Sequence, residues 1–355
     1  LLLIKDFHKF HEDPNIARTL KELSFYLRET THNLIFNSHV YPTSNEFDEL
    51  MAIIELPLPD FEELISLLEK ISEKTNSNLQ REDLIELATA SSGLSESRVR
   101  QVAAKALTQR GKISSFDIKE IIEEKKQVIA RSEILEFFES QSSQNDIGGL
   151  IVLKSWLEQR YQAFSSEARE YGLPLPKGVL LVGPQGTGKS LTAKSIAKSW
   201  SMPLLRLDVG RLFSGLVGSS EARTRETITK AEAMSPCILW IDEIDKGFGG
   251  DARSDGGTSQ RVLASLLTWM AEKESAVFVI ATANAIDKLP PELLRKGRFD
   301  EIFFLNLPDS NERTNILNLH IKKRRPNYNF PLETIVDRTN DYSGAELEQA
   351  VIEAM

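Results

Sequence analysis

The sequence holds one cysteine, Cys237, in 355 residues, so no disulfide can close within the chain. Its apolar surroundings before Ile238 read as a buried strand thiol rather than a redox centre, which fits a reducing compartment. No apolar run approaches the roughly 18–20 residues that a transmembrane helix needs. The longer ones, such as Val277 to Ala281, have the length of strands, so no membrane span is expected and the chain reads as a soluble globular protein. Basic charge is also short, with 43 Lys and Arg against 52 Asp and Glu and a net charge of −9. That balance excludes a general nucleic-acid binder, which needs clustered cations. The one dense basic run, Lys322-Lys323-Arg324-Arg325, reads as a solvated helix end. His8 and His11 have no third ligand nearby and read as surface residues, not a metal site. An initiator Met and a signal-peptide pattern are missing too. Leu1-Leu2-Leu3-Ile4 reads as a buried strand already under way, and Met355 stops in a helical pattern without a cap, so both ends read as truncated.

What is present is apolar material for two or three packed domains, 41% of residues being hydrophobic and 27% charged. The chain is also self-similar. Leu3-Ile4-Lys5-Asp6-Phe7 parallels Trp240-Ile241-Asp242-Glu243-Ile244, and Asn33 to His39 parallels Val277 to Asn284. Ile53 to Asp60 parallels Ile302 to Asp309, and Ser91-Ser92-Gly93-Leu94 stands where Tyr342-Ser343-Gly344-Ala345 stands. In each copy a Leu-Pro-Asp leads into an amphipathic helix, Phe61 to Ile71 and Ser310 to Ile321, so each copy is expected to end in a small helical lid. Glu120 to Ser140 reads as a connecting helix and Ser140 to Asn145 as the clearest linker.

The second copy carries the chemistry. Gly178 to Val182 reads as a buried strand running into Gly183-Pro184-Gln185-Gly186-Thr187-Gly188-Lys189-Ser190, and Ser190 to Trp200 reads as the helix that follows. In that context the glycines let backbone N–H groups turn in on phosphates, and the helix N-terminus adds partial positive charge. Lys189 is suited to reach the β- and γ-phosphates and Ser190 to give magnesium an oxygen ligand. Cys237 to Ile241 is a second buried strand, ending in Asp242-Glu243, and strand C-termini face the ligand crevice in open parallel sheets. Asp242 is suited to hold magnesium through water, and Glu243 to orient and deprotonate the attacking water. A third strand ends at Asn284, which can hydrogen-bond the γ-phosphate or the lytic water. The cofactors are therefore ATP and Mg²⁺.

With Pro291 to Asp300, which includes Arg295-Lys296-Gly297-Arg298-Phe299-Asp300, this set resembles the AAA+ ATPases of the branch with a second region of homology. Asp146-Ile147-Gly148-Gly149-Leu150 is similar to that branch's nucleotide-side segment. The resemblance spans residues 146 to 355. It implies an α/β P-loop NTPase fold, a parallel sheet sandwiched by helices with a small helical lid. It also implies a homo-oligomeric ring, usually a hexamer, with ATP at each subunit interface. Ile147, Gly148 and Leu191 would join the P-loop in contacting nucleotide, and Gly344 and Ala345 would pack near adenine where some relatives carry a sensor arginine. Arg298 maps onto the arginine finger that acts on the neighbouring subunit, and Arg295 onto its companion. Two departures stand out. Leu216-Val217-Gly218 lacks the aromatic residue that protein-threading members carry in the first pore loop, and Phe248 to Gly257 offers little grip.

In the first copy Lys5 falls opposite Asp242, Asp6 opposite Glu243 and His39 opposite Asn284, and the Arg-x-x-Arg-Phe-Asp run is absent. A lysine at the metal-holding position repels magnesium, so this copy reads as an ATPase-like fold without catalysis. The expected organisation is a degenerate half module with its lid at 1–125, a connecting helix and linker at 126–145, the active large subdomain at 146–309 and its lid at 310–355. One degenerate and one active copy, with Trp156-Leu157-Glu158-Gln159-Arg160 and Leu293 to Glu301, resemble the AAA proteins called hypothetical chloroplast reading frame forty-six, of algal plastids and cyanobacteria. That likeness implies a plastid stroma or cyanobacterial cytoplasm and a role in photosynthetic carbon-use regulation. The expected activity is ATP hydrolysis by a ring that remodels or regulates a protein partner, with no nucleic acid involved. The alternative is a nucleotide-gated binding scaffold with little mechanical unfolding.

Overall fold

The structure, a computed structural model, describes residues 2–7, 10, 13–37, 51–52, 54, 56, 58–114, 117–130, 134–138, 149–213, 219–248, 258–327 and 331–355. The chain divides into two units, residues 1–57 and 58–355.

In the first unit β1 (Leu2–Lys5) and β2 (Leu34–Asn37) pair in parallel, with Lys5 opposite Asn37. Parallel neighbours need a crossover, and α1 (Pro14–Leu27) supplies it, with Pro14 in its first turn and Asp13 capping Asn15 N–H. Phe7 and Ala17 are buried among Ile4, Ile16, Leu20, Phe36 and Met51, and the Phe7 and Phe36 ring centres lie 4.4 Å apart. The strand falls where the sequence places it, but Leu2 and Leu3 are 59% and 50% exposed. The small core covers only part of a two-stranded sheet, so the expected burial of this strand does not hold.

The second unit starts with α2 (Phe61–Thr75), α3 (Arg81–Ser91), α4 (Glu96–Arg110) and α5 (Ile118–Ala130). Then come β3 (Leu135–Phe138), α6 (Ile151–Gln162), α7 (Ser166–Glu170), β4 (Gly178–Val182) and α8 (Lys189–Ser199). Next follow β5 (Leu204–Leu207), α9 (Val209–Phe213), α10 (Ser219–Ala233), β6 (Cys237–Ile241), α11 (Thr258–Glu272), β7 (Val277–Ala283) and β8 (Glu301–Phe304). Three helices close the chain, α12 (Ser310–Arg324), α13 (Glu333–Arg338) and α14 (Gly344–Glu353).

The six strands β3 to β8 form one sheet in the order β3-β5-β6-β7-β4-β8, parallel except where β3 meets β5. Alternate residues feed opposite layers. Leu180, Leu239 and Val279 pack with α9, α10 and α11 on one face, and Leu181, Ile238, Trp240 and Phe278 pack with α6 and α8 on the other. Burial on both faces explains why these strands read as unbroken apolar runs. Cys237 is buried on β6, as its surroundings predict. The expected helix from Glu120 to Ser140 is corrected: α5 ends at Ala130, and 135–138 is the antiparallel edge strand. Phe137 and Phe138, part-buried on the two cores, make this stretch worth more as a strand than as a charged helix.

The repeat is visible in the backbone. Asp6 and Glu243, aligned by sequence, both take left-handed conformations, with φ of 56° and 50°. The helices after each Leu-Pro-Asp open with the same capping box, Asp60 with Glu63 and Asp309 with Glu312. Glu312 reaches further, since its Oε1 accepts from Leu150 N–H at 3.3 Å. In the lids the register needs correction. Ser95 is the N-cap of α4 and Ser343 that of α14, which sets Gly93 (φ 83°) against Asp341 (φ 62°) rather than Gly344. Only glycine fits in the first lid, because a Cβ at Gly93 would stand 0.9 Å from the Ala233 carbonyl oxygen on α10. The first lid is thus seated on the large subdomain of the second copy.

Lys125, on α5, is 2% exposed, and burial pushes its ammonium down to about 8. The Cys237 thiol beside it is pushed by burial up to about 12 and carries no charge below that. Lys273 is likewise lowered by burial to about 8. For both lysines the folded value lies below the unfolded 10.5, so the unfolded chain binds more protons between about 8 and 10.5, and stability rises with pH across that window. Lys125→Met should stabilise the protein at neutral pH by on the order of 2–3 kcal/mol and remove about half of that rise. Urea midpoints at neutral pH and near pH 10 check both.

Candidate nucleotide-binding site

The strand order assembles the site. β7 lies between β4 and β6, so the P-loop after β4, Asp242-Glu243 after β6 and Asn284 after β7 meet at one edge of the sheet. Carboxyl ends of parallel strands open on the crevice where ligands bind.

On the P-loop side Lys189 is buried at the start of α8, and its Nζ donates to the carbonyls of Gly183 at 2.7 Å and Pro184 at 2.6 Å. Burial lowers its pKa, and the carboxylates of Asp245, Asp242 and Glu243 act in the opposite sense. Thr187 Oγ1 donates to the Pro184 carbonyl at 2.9 Å. Ser190 and Leu191 follow in the first turn, both half-buried, while Pro184 and Gln185 are exposed. The lid comes directly onto this loop. Ala345 N–H donates to the Gly186 carbonyl at 3.1 Å, and a Cβ on Gly186, whose φ is 83°, would lie 2.6 Å from Ser343 Oγ. Gly344 and Ala345 therefore sit at the P-loop.

On the acidic side one carboxylate oxygen gathers two donors. Asp242 Oδ1 accepts from Ser190 Oγ at 3.1 Å and from Thr282 Oγ1 at 2.7 Å. Thr282 Oγ1 in turn accepts from Glu243 N–H at 2.9 Å, holding the left-handed turn that carries Glu243. The Glu243 carboxylate accepts from Asn284 Nδ2 at 3.3 Å and pairs with Lys246 Nζ at 2.6 Å. The bond from Lys246 is the main reason its pKa is lowered, so this carboxylate is ionised at neutral pH. Arg206 Nη2 lies 3.8 Å from the other oxygen of Asp242. Asp245, 5% exposed, leaves Oδ1 without a hydrogen bond.

Ser190 and Asp242 present hard oxygen donors in mutual contact, the donor type that magnesium takes when phosphates and water complete its shell. Among the described residues no group of three His, Cys, Asp or Glu could hold a metal alone.

Sequence reasoning missed Thr282, Lys246, Arg206 and Asp245. Thr282 had a signal: it is a hydroxyl in an apolar strand, two residues before Asn284 and so on the same face. Arg295 and Arg298 are not brought to this cluster. They lie in the turn before β8, whose first residue pairs with Val179 near the start of β4, so the five-residue strand, about 16 Å long, separates them from their own P-loop. Arg298 Nη1 donates to the Glu292 carbonyl. Ile147, Gly148, Leu216-Val217-Gly218, Gly249 to Gly257, His8, His11 and His39 lie outside the described residues.

A P-loop strand and an acid-ended strand flanking a polar-ended one define the class as a P-loop nucleotide-binding fold with a third, intervening strand in the site. Comparison with known proteins agrees. The family model for the ATPase family associated with various cellular activities (AAA) matches residues 179–307. Models for the SpoVK-like AAA ATPase match at 1–56 for its N-terminal domain and 62–132 for its second domain. The AAA domain-containing protein ycf46 of Guillardia theta is 48% identical over all of this chain and 71% of its own length, and that of Pyropia yezoensis 46% over all of this chain and 73% of its own. The ATP-dependent zinc metalloprotease FtsH of Cyanidium caldarium is 40% identical over 59% of this chain and 35% of its own length. The chain belongs to the AAA ATPase family and, within it, to the ycf46 group.

Thr282→Val should leave Glu243 N–H unpaired, cost about 1–3 kcal/mol of stability and, by misplacing Glu243, lower ATP turnover about tenfold or more. Thermal melts and a phosphate-release assay measure the two effects.

Proposed function

We propose that the chain binds ATP on its P-loop and hydrolyses it with Glu243 as base, as one subunit of a ring. The observation that carries this reading is the hydrogen-bonded series Ser190, Asp242, Thr282, Glu243 and Asn284 beside Lys189. Lys189 would exchange the Gly183 and Pro184 carbonyls for the β- and γ-phosphates. Glu243 would take a proton from a water held between it and Asn284. Bound at Ser190 and Asp242, magnesium would supply charge to the phosphate oxygens. Ile147, Gly148, Leu191, Gly344 and Ala345 would line the rest of the nucleotide site.

Arg298 and Arg295 stand too far from their own P-loop to serve it, which supports action on a neighbour and hence a homo-oligomer, by family a hexamer. Such fingers are worth about 10³–10⁵ in rate in related systems. Remodelling of a protein partner is the function such a ring supports. The likeness to ycf46 proteins supports a plastid stroma or cyanobacterial cytoplasm, and regulation of photosynthetic carbon use is proposed as the setting of the activity. Among the described residues no helix is long and apolar enough to cross a membrane. A nucleotide-gated scaffold is the second reading, favoured by Leu216 in place of a pore aromatic.

Glu243→Gln should retain ATP binding and lose hydrolysis on the order of 10²–10⁴-fold, whereas Lys189→Ala should lose both. Unchanged hydrolysis in Glu243→Gln would exclude the assigned base. Steady unfolding of a tagged substrate would decide against the scaffold.

A further inference from the structure

The turn bearing Arg298 projects at the end of the sheet remote from the P-loop, so its own subunit must fix it before it can serve another. Two fastenings do this. Asp300 Oδ2 accepts from the backbone N–H groups of Lys177 at 2.8 Å and Gly178 at 3.0 Å, and Asp300 N–H donates to the Gly178 carbonyl at 2.8 Å. Lys177 Nζ donates to the Gly297 carbonyl at 2.8 Å and to the Ala271 carbonyl, at the end of α11, at 2.6 Å. Arg298 therefore stands between one residue held by the Lys177 side chain and another held by the Lys177 backbone. Phe299, 6% exposed, plugs the turn into the core, and Lys273 Nζ bonds the Val277 and Pro176 carbonyls behind it.

Both fastenings involve Lys177, the residue immediately before β4, and the last residue of β4 precedes Gly183. A five-residue strand, buried throughout and paired on both sides, joins the two places. Such a strand transmits displacement along its axis instead of absorbing it. We propose that Lys177 and Asp300 are positioning residues for Arg298. The geometry gives each part a task. Asp300 ties the turn to the start of β4, and Lys177 ties Gly297 to the end of α11.

This inference rests on the reading of Arg298 as a trans-acting group, and the test separates the two. Lys177→Met, in the full chain, should lower the ATP turnover number about 10- to 100-fold, leaving affinity for a fluorescent ADP analogue and the oligomeric state unchanged. Lys177→Arg, which keeps a donor on a stem of similar length, should recover most of the loss. Asp300→Asn, which keeps an acceptor for the two N–H groups, should give a smaller loss and guards against failure of the methionine variant to fold. The deciding measurement is the double substitution: in an Arg298→Ala background, either variant should change turnover less than about twofold, as expected when two residues act through one group. A full additional loss in that background would overturn the proposal, as would normal turnover in Lys177→Met. Normal turnover in Arg298→Ala alone would instead refute the trans-acting reading, and this inference with it.

Discussion

One carboxylate oxygen, Asp242 Oδ1, organises the site. It accepts from Ser190 on the helix after β4 and from Thr282 on β7, so three neighbouring strand ends are tied through one atom. The tie needs β7 between β4 and β6, which is the order the sheet has. Because Thr282 also holds the Glu243 backbone, the left-handed turn that carries the Glu243 carboxylate depends on the same anchor. The side chain that would bind metal and the one that would activate water are thus placed by a single polar contact set inside an apolar sheet, where an unmet partner is costly.

The parts of this arrangement legible in the sequence are those made by local chemistry. The P-loop, the acid pair after an apolar strand, and the polar end of β7 each carry their own strand-to-loop pattern, and all three lie where that pattern puts them. Residues whose importance comes from tertiary neighbours were not legible. Arg206 sits on β5 and gains meaning only because β5 adjoins β6 next to Asp242. Lys246 looks like an ordinary surface lysine until the turn brings it to Glu243. The stretch 135–138 misled for a related reason: Glu and Phe suit a helix in isolation, and only the free edge of β5 makes them a strand.

The repeat shows which backbone devices the two copies share although their side chains differ. Asp6 retains the left-handed turn of Glu243, and Asp60 with Glu63 retains the capping box of Asp309 with Glu312, while Lys5 stands opposite Asp242 in the sequence. Backbone devices of this kind are fixed by the path of the chain and not by a ligand. The lid offers the counter-example. Gly93 takes the place of Asp341 because the first lid is pressed on α10, where no side chain fits. That lid has become packing material for the neighbouring module.

The second lid is held differently, and its attachments form a lever. Near its root Glu312 grips Leu150 N–H, a bond that nucleotide need not touch, while the start of α14 rests on Gly186 through Ala345, inside the loop that phosphate would reshape. If Gly186 moves, the first contact would serve as a fulcrum and the second as the point where load is applied. A small shift of Gly186 would then be magnified along α12 to α14, converting the occupancy of the P-loop into a swing of the chain's last three helices.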